Sequence, residues 1–306
     1  MPASASSSFA NALNAAREAA GAQDYPKGAL YVVATPIGNL ADVSLRALHV
    51  LGLVDRIACE DTRHTQQLLR AYGIDRTGDR LLALHQHNEA EAARKVVDWL
   101  AAGERVAYAS DAGTPAVSDP GARLAAAVHA AGHRVMPLPG ASSITTLLSA
   151  AGSVGEGGFV FAGFLPAKSG ERDAAVQALA AEPRAVVLLE APHRIAALAG
   201  ALANLGDRAV TIGRELTKQF EEIATVPCSA LATWLAADPQ RSRGEFALVL
   251  HGAAQAASGD DGERVLRLLL AELPVKTAVK LAAEITGAPR NALYEQALKQ
   301  KGAQAG

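Results

Sequence analysis

From Ala29 onward the chain repeats one pattern, a short aliphatic run, a polar break and then an amphipathic stretch. The runs are ALYVVA (29–34), DRIACE (55–60), RLLALH (80–85), RVAYAS (105–110) and HRVMPL (133–138). Aliphatic runs of this length, each separated from the next by a helical period, predict parallel strands, because parallel neighbours need a crossover helix rather than a tight turn. A second series follows in FVFAGF (159–164), RAVVLLE (184–190), RAVTIG (208–213) and GEFALVL (244–250), with a helix expected over 192–205. The pattern predicts an α/β protein of two domains with mainly parallel sheets.

Composition agrees with that reading. Apolar residues make up 50% of the chain and aromatics only 4%, which suits Ala- and Leu-rich helices packed on aliphatic strands. A length of 306 residues suits two ordinary domains with a small appendage. The formal net charge of -2 excludes a general electrostatic affinity for nucleic acid, so any RNA contact needs a local basic patch. Cys59 and Cys228 sit in apolar runs without metal-ligand spacing and read as buried thiols of a reducing compartment. The start, MPASASSSFANALNAAREAA, lacks the basic and apolar regions of an export signal, and no run reaches the ~18 apolar residues of a membrane helix. A cytoplasmic protein with no membrane partner is expected.

The expected divisions are a disordered or loosely helical leader (1–27), a first α/β domain (28–139), a second (140–253), and a linker with a small helical unit (254–306). A cleft is expected between the two α/β domains. AAQAASGDDGE (253–263) reads as the linker. The tail beyond it has helical periods broken at Leu273-Pro274 and at Gly287-Ala288-Pro289, a helix-turn-helix spacing. From Leu273 the tail carries five Lys or Arg against two Glu, which makes Lys276, Lys280 and Arg290 candidates for RNA phosphate. Ordinary solvated helix faces account for them equally well.

Chemistry is expected in the loops that leave the strands. Thr35-Pro36-Ile37-Gly38-Asn39-Leu40 follows the first strand, where doubly wound sheets bind ligands, but GxGxxG is absent and a dinucleotide enzyme is disfavoured. The loop from Ser110 to Gly121, SDAGTPAVSDPG, combines glycines for close backbone approach with Asp111, Thr114 and Ser118 as hydrogen-bonding groups. In PLPGASS, Ser142 or Ser143 can cap the next helix and leave backbone N–H groups for an anion. Plain capping explains them as well.

ALYVVATPIGNLADVSLRAL, IACEDTRHT, HQHNE, SDAGTPAVSDPG, PLPGASS, FAGFLPAKSGER, LLEAPHRI, GRELTKQFEE and GEFALVL follow in order between Gly28 and Gly252. Together they resemble the small-subunit ribosomal RNA methyltransferase I family of the tetrapyrrole-methylase superfamily. The terminal helices are similar to that family's small C-terminal domain. The resemblance implies a homodimer that binds S-adenosylmethionine between two domains and 2′-O-methylates one cytidine in the decoding region of 16S rRNA, with no metal. It makes Pro36, Asp111, Gly113, Thr114, Pro115, Val117, Ser118, Ser142 and Ser143 candidates for the cofactor pocket, with Glu190, Ala191 and Pro192 completing its wall.

A ribose hydroxyl is a poor nucleophile, so a base is sought in the two segments Glu60-Asp61-Thr62-Arg63-His64 and His85-Gln86-His87-Asn88-Glu89, both expected to open onto the cleft. Glu60, Glu89, His64 and His87 compete for the proton, Arg63 is placed for a flanking phosphate, and Asp61 and Asn88 are polar partners. For each histidine alone, a structural hydrogen-bonding role is the simpler reading. His85 and His87 share a face if the segment is extended, yet no third ligand joins them, and no metal is expected.

In the second domain Lys168 and Arg172 are candidates for RNA phosphate, whereas Arg214, Glu215, Lys218, Glu221 and Glu222 read equally as surface ion pairs. Two other functions compete. One is methylation of a tetrapyrrole or a diphthine precursor by the same fold, and the other is a non-catalytic RNA-binding assembly factor.

Overall fold

The computed structural model describes residues 9–76, 78–85, 87–153, 158–253 and 259–303. The first part runs α1 (Ala10–Ala20), β1 (Ala29–Val33), α2 (Leu45–Leu53), β2 (Arg56–Cys59), α3 (Thr62–Ala71), β3 (Leu81–Ala83), α4 (Glu89–Ala101), β4 (Val106–Ala109), α5 (Gly121–Ala130), β5 (Arg134–Leu138) and α6 (Ser143–Ala150). Its strands form one parallel sheet of order β3-β2-β4-β1-β5, in which Val32 pairs with Tyr108 on one side and Pro137 on the other. Alternate residues of β1 serve opposite faces, as the pleat requires. Leu30 packs with Val96, Leu100, Leu124 and Val128 of α4 and α5, while Tyr31 and Val33 pack with Leu48 and Leu51 of α2.

The leader does not stay loose. From Phe9 it forms α1, and Phe9, Ala12, Leu13 and Ala16 make a helical stripe against the core beside α2. Phe9 meets Tyr72 edge-on at 5.3 Å between ring centroids. Of the two expectations for 1–27, disorder or loose helix, the helical one describes Ala10–Ala20 and disorder does not; residues 1–8 lie outside the described residues. Apolar positions at helical spacing gain enough by burial to outweigh an Ala/Ser-rich composition.

The second part runs β6 (Phe159–Gly163), α7 (Ser169–Ala178), β7 (Ala185–Glu190), α8 (Ile195–Leu202), β8 (Ala209–Arg214), β9 (Glu222–Pro227), α9 (Leu231–Ala236) and β10 (Phe246–Leu250). Its sheet has the order β6-β7-β10-β8-β9. Here the expectation of parallel strands fails: β6 and β7 are parallel, but β10 is antiparallel to both β7 and β8, and β8 is antiparallel to β9. The β8–β9 connection, residues 215–221, is too short for a parallel crossover, which takes roughly a dozen residues or more. Strand β9 is also absent from the sequence reading; its Ile223 and Thr225 face solvent, as on an edge strand.

Helix α6 joins the two sheets. Its Leu147 packs with Val187, Ala247 and Val249 of the second sheet, and also with Ile37 from the loop after β1. Gly213 in β8 makes room, since a Cβ there would stand 2.7 Å from Leu147 Cδ1. Cys59 and Cys228 are buried and unpaired, and burial pushes both thiols up to about 11.

The terminal part contains α10 (Gly259–Glu272), α11 (Val275–Thr286) and α12 (Arg290–Ala303), broken where the Pro and Gly residues stand. Gly287 closes α11 with a φ of 70°. Leu266, Ala278, Val279, Ala282, Leu293 and Ala297 form a core of their own. The linker expected over 253–263 is cut short, because α10 already begins at Gly259; residues 254–258 lie outside the described residues. Among the described residues no helix is long and apolar enough to cross a membrane.

Candidate active site

In the first sheet the chain leaving β1 passes β4 to reach β2 and the chain leaving β4 passes β1 to reach β5, with α2 on one face and α5 on the other, so the loops part toward opposite faces at the adjacent carboxyl ends of β1 and β4. That divergence opens a crevice in parallel sheets. The loops after both strands are pinned together there, because Thr35 and Gly113 exchange backbone hydrogen bonds of 2.9 and 3.0 Å. Gly113 has a φ of 82°, and a Cβ on it would stand 3.3 Å from Ile37, so this approach favours glycine.

A cavity of about 420 Å³ lies over the crevice. The first sheet contributes Ile37, Glu60, Gly113, Thr114, Val117, Ser118, Ser142 and Ser143, and the second sheet closes it with Phe164, Glu190, Ala191, Pro192, Leu216 and Phe246. Gly113, Thr114, Val117, Ser118, Ser142, Ser143, Glu190, Ala191 and Pro192 of the expected cofactor set thus meet in one place. Pro36 and Asp111 line an adjoining cavity instead, and Pro115 is buried without lining either.

The loop after β4 is held by a residue the sequence reading passed over. Asp119 accepts hydrogen bonds from the Tyr108 hydroxyl at 2.9 Å, from Ala116 N at 2.9 Å and from Gly121 N at 2.8 Å. It thereby holds Ala116 at a φ of 67°, a backbone region costly for a residue with a Cβ. Thr114 Oγ1 donates to Ala141 O at 3.1 Å, which ties this loop to the one before α6. Ser142 precedes α6 but makes no side-chain capping bond, so plain capping does not account for it. Only the position of Asp119 two residues before Gly121 in SDPG hinted at its role, as an Asx-type turn.

Glu60 reaches the same cavity and accepts from Asp111 N at 3.1 Å. Burial raises its carboxyl above the usual carboxylate range despite that hydrogen bond, and the charges of Asp119 and Asp111 push the same way. Asp61 caps α3 by accepting from Arg63 N and His64 N, and these bonds lower its carboxyl. Arg63 projects into solvent with 88% of its side chain exposed. His64 lines the adjoining cavity.

The other catalytic segment does not open onto this cleft, contrary to expectation. His87 and Glu89 line a separate cavity between α4 and α5 with Arg94 and Arg123. Glu89 is buried and accepts from Arg123 Nη1 at 3.0 Å, while its Oε1 has no hydrogen-bond partner. Asn88 braces the turn by accepting from His85 N and donating to Ala83 O. The reason is topological: β3 is the edge strand, three positions from β1, which at the usual strand spacing is about 14 Å. Gln86 lies outside the described residues. Among the described residues no group of three or more His, Cys, Asp or Glu is set to hold a metal ion.

The expected RNA contacts divide. Lys168, Lys276, Lys280 and Arg290 are exposed, although Lys168 pairs with Glu171 and Lys280 with Glu284. Arg172 is only 8% exposed and donates to Ala167 O at 3.0 Å, so it faces the interior and not an external phosphate. Its long stem packs at the start of α7 in the manner of a structural arginine.

Over residues 29–232 the chain matches the Tetrapyrrole (Corrin/Porphyrin) Methylases, and it belongs to that family. Residues 256–301 match the RsmI C-terminal HTH domain. The chain is 45% identical to the ribosomal RNA small subunit methyltransferase I of Pseudomonas aeruginosa, over 90% of this chain and 98% of that one. It is 47% identical to the protein of that name from Escherichia coli O157:H7, over 91% and 98% of the two chains. Among solved structures, diphthine synthase shares the fold with a TM-score of 0.55 at 14% identity, over 73% of this chain and 90% of that one. The chain is thus a methyltransferase, and its methyl donor is S-adenosylmethionine.

The cavity fits that donor. Glu190 is 2% exposed, and its Oε2 is buried with no hydrogen-bond partner, an acceptor left for a hydroxyl or amine of a ligand. Its Oε1 is already engaged by Ala191 N and Arg194. Ser118, Ser142 and Ser143 add further polar groups to a largely apolar wall.

Proposed function

We propose that this chain methylates the ribose 2′-hydroxyl of a cytidine in the decoding region of 16S rRNA, within the small ribosomal subunit. One observation carries the reading. Nine of the twelve cofactor candidates line a single cavity in a chain that is 45% and 47% identical to two proteins named ribosomal RNA small subunit methyltransferase I. The diphthine alternative rests on fold alone, at 14% identity. A homodimer in the cytoplasm belongs to the same reading, as does a division into units 28–139, 140–253 and 254–306 behind the leader.

The bound donor supplies a sulfonium methyl group. The loop from Ser110 to Asp119, with Ser142, Ser143 and the turn from Glu190 to Pro192, holds it beneath the second sheet. Phe164, Leu216 and Phe246 exclude water from the apolar side. Alignment of donor and acceptor is the largest contribution expected of these residues. The acceptor hydroxyl gives its proton to a base as its oxygen bonds the methyl carbon, a transfer worth roughly 10²–10⁴-fold. Glu60 is the favoured base: it lies in the cavity, and its raised carboxyl holds a proton better than an ordinary glutamate. His64 is its rival from the adjoining cavity. The exposed Lys168, Lys276, Lys280 and Arg290 supply phosphate contacts at a distance from the chemistry.

The test uses labelled S-adenosylmethionine and small subunits from cells lacking the modification, with the product mapped by nuclease digestion and mass spectrometry. Label on a cytidine ribose of the decoding region is expected. Label on another atom, or none from a protein that binds the donor, overturns the reading.

A further inference from the structure

The donor pocket shares a wall with a second cavity of about 370 Å³. Ile37, Ala112 and Glu245 line both, and His64, Gln67, Asp111 and Lys218 supply the polar groups of the second. Its size is within the range of small-molecule sites, roughly 300–1,000 Å³. A group seated in it would border the donor pocket along these shared residues.

The charge in this cavity selects what can enter. Lys218 Nζ is held by Glu215 Oε1 and Glu245 Oε2, each at 2.9 Å, so its positive charge is already matched. Asp111 adds a further carboxylate. The wall is therefore acidic and rich in acceptors, which repels phosphate but suits donors such as sugar hydroxyls and an exocyclic amine. Cytosine carries such an amine at N4, and Gln67 offers both a donor and an acceptor to a base edge. Outside, Arg63 projects from the first turn of α3, one residue from His64, held loosely by Asp61 Oδ2 at 3.4 Å with 88% of its side chain exposed, where it can turn to a phosphate left at the mouth.

The loop that brings Lys218 is strained. Glu215 has a φ of 52° and Thr217 a φ of 66°, in the left-handed region that residues with a Cβ seldom adopt. Such strain persists only where surrounding structure enforces it, and it gathers at ligand sites.

We propose that this second cavity receives the sugar and base of the acceptor nucleoside, with the reactive hydroxyl reaching past the shared rim of Ile37, Ala112 and Glu245 to meet the donor's methyl group directly, and the phosphates outside. The inference rests on the ribosomal RNA reading above, and the experiment separates the two. Gln67→Trp and Ala71→Trp each place a bulky ring in the cavity from α3, at positions that do not line the donor pocket. Transfer to unmethylated small subunits should fall about 100-fold, the loss expected of a misplaced acceptor, while S-adenosylhomocysteine affinity stays at the wild-type value. Gln67→Ala, which leaves the cavity open, should raise KM for subunits and keep kcat. Wild-type transfer in both Trp variants overturns the acceptor site and leaves the ribosomal reading standing. A parallel loss of S-adenosylhomocysteine affinity in both variants overturns it too, by making the cavity part of the donor site. Failure of the wild-type protein to label subunits overturns the ribosomal reading, and the acceptor site with it.

Discussion

Lys218 lies across Gly38 so closely that a Cβ on residue 38 would stand 2.4 Å from Lys218 Cγ and 2.8 Å from its Cε. Gly38 belongs to the loop after β1 and Lys218 to the loop after β8, so the contact spans the two sheets. With Glu215 and Glu245 holding the ammonium, the side chain has little freedom to move aside.

Gly38→Ala should therefore destabilise the protein by about 1–3 kcal/mol, the usual cost of overpacking. Adding Lys218→Ala should relieve part of that loss, since the clash disappears with the side chain. Thermal denaturation of the two single variants and the double variant measures the coupling. Strict additivity would show that this contact does not constrain residue 38.

Asp119→Ala should loosen the donor loop, because the Tyr108 hydroxyl, Ala116 N and Gly121 N lose a common acceptor. Each donor left buried and unpaired costs about 1–3 kcal/mol. Calorimetric affinity for S-adenosylhomocysteine should drop about tenfold or more, equal to at least about 1.4 kcal/mol. Asp119→Asn keeps one acceptor oxygen and should lose less.

The arginine and lysine candidates should separate by assay. Arg172→Ala should lower stability by about 1–3 kcal/mol through lost packing and an unpaired carbonyl, with no change in the salt dependence of RNA binding. Lys276→Ala and Lys280→Ala should leave stability unchanged. If each contacts phosphate, the slope of log affinity against log salt should become shallower by about 0.7–0.9 per lost contact. Filter binding across a salt series distinguishes the two outcomes.

Acid sensitivity should trace in part to two half-buried histidines. Burial lowers His49 and His251 below the ordinary 6.5, with Arg17 and Arg208 adding to the effect. His251 Nε2 also lies 2.8 Å from Thr211 Oγ1. A lowered folded-state value means stability that is present above pH 6.5 and lost as pH falls through the folded value, because the unfolded chain binds protons first. His251→Gln, which can keep a hydrogen bond to Thr211, should flatten the melting temperature between about pH 7 and about pH 5. An unchanged pH profile would assign the loss to other groups.

Much of the fold could be read directly. The strands from ALYVVA to HRVMPL stand where the aliphatic runs predict them, within a residue or two at each end, because the signal is local and the inner strands β1, β2 and β4 are buried on both faces. The helix breaks at Leu273-Pro274 and Gly287-Ala288-Pro289 were equally legible, since proline and glycine act through their own backbone. The loop residues of the methylase signature were legible as a motif, and their chemistry followed from residue type.

Other features depended on partners distant in the chain. Strand β9 exists because β8 offers an edge to pair with, and Phe9 to Ala20 form a docked helix because α2 and Tyr72 present an apolar surface. Arg172 turns inward to Ala167, a choice that its charge alone could not predict. His87 and Glu89 stand away from the crevice at β1 and β4 because strand order places β3 at the sheet edge, and order is a property of pairing, not of any segment. The sequence by itself determined the strand-end loops and, through the resemblance they carry, the candidates for a methyl-donor pocket, because motifs of adjacent side chains are local. The tertiary structure alone decided which of them share a cavity, because strand order and the packing of the second sheet over the first set those distances.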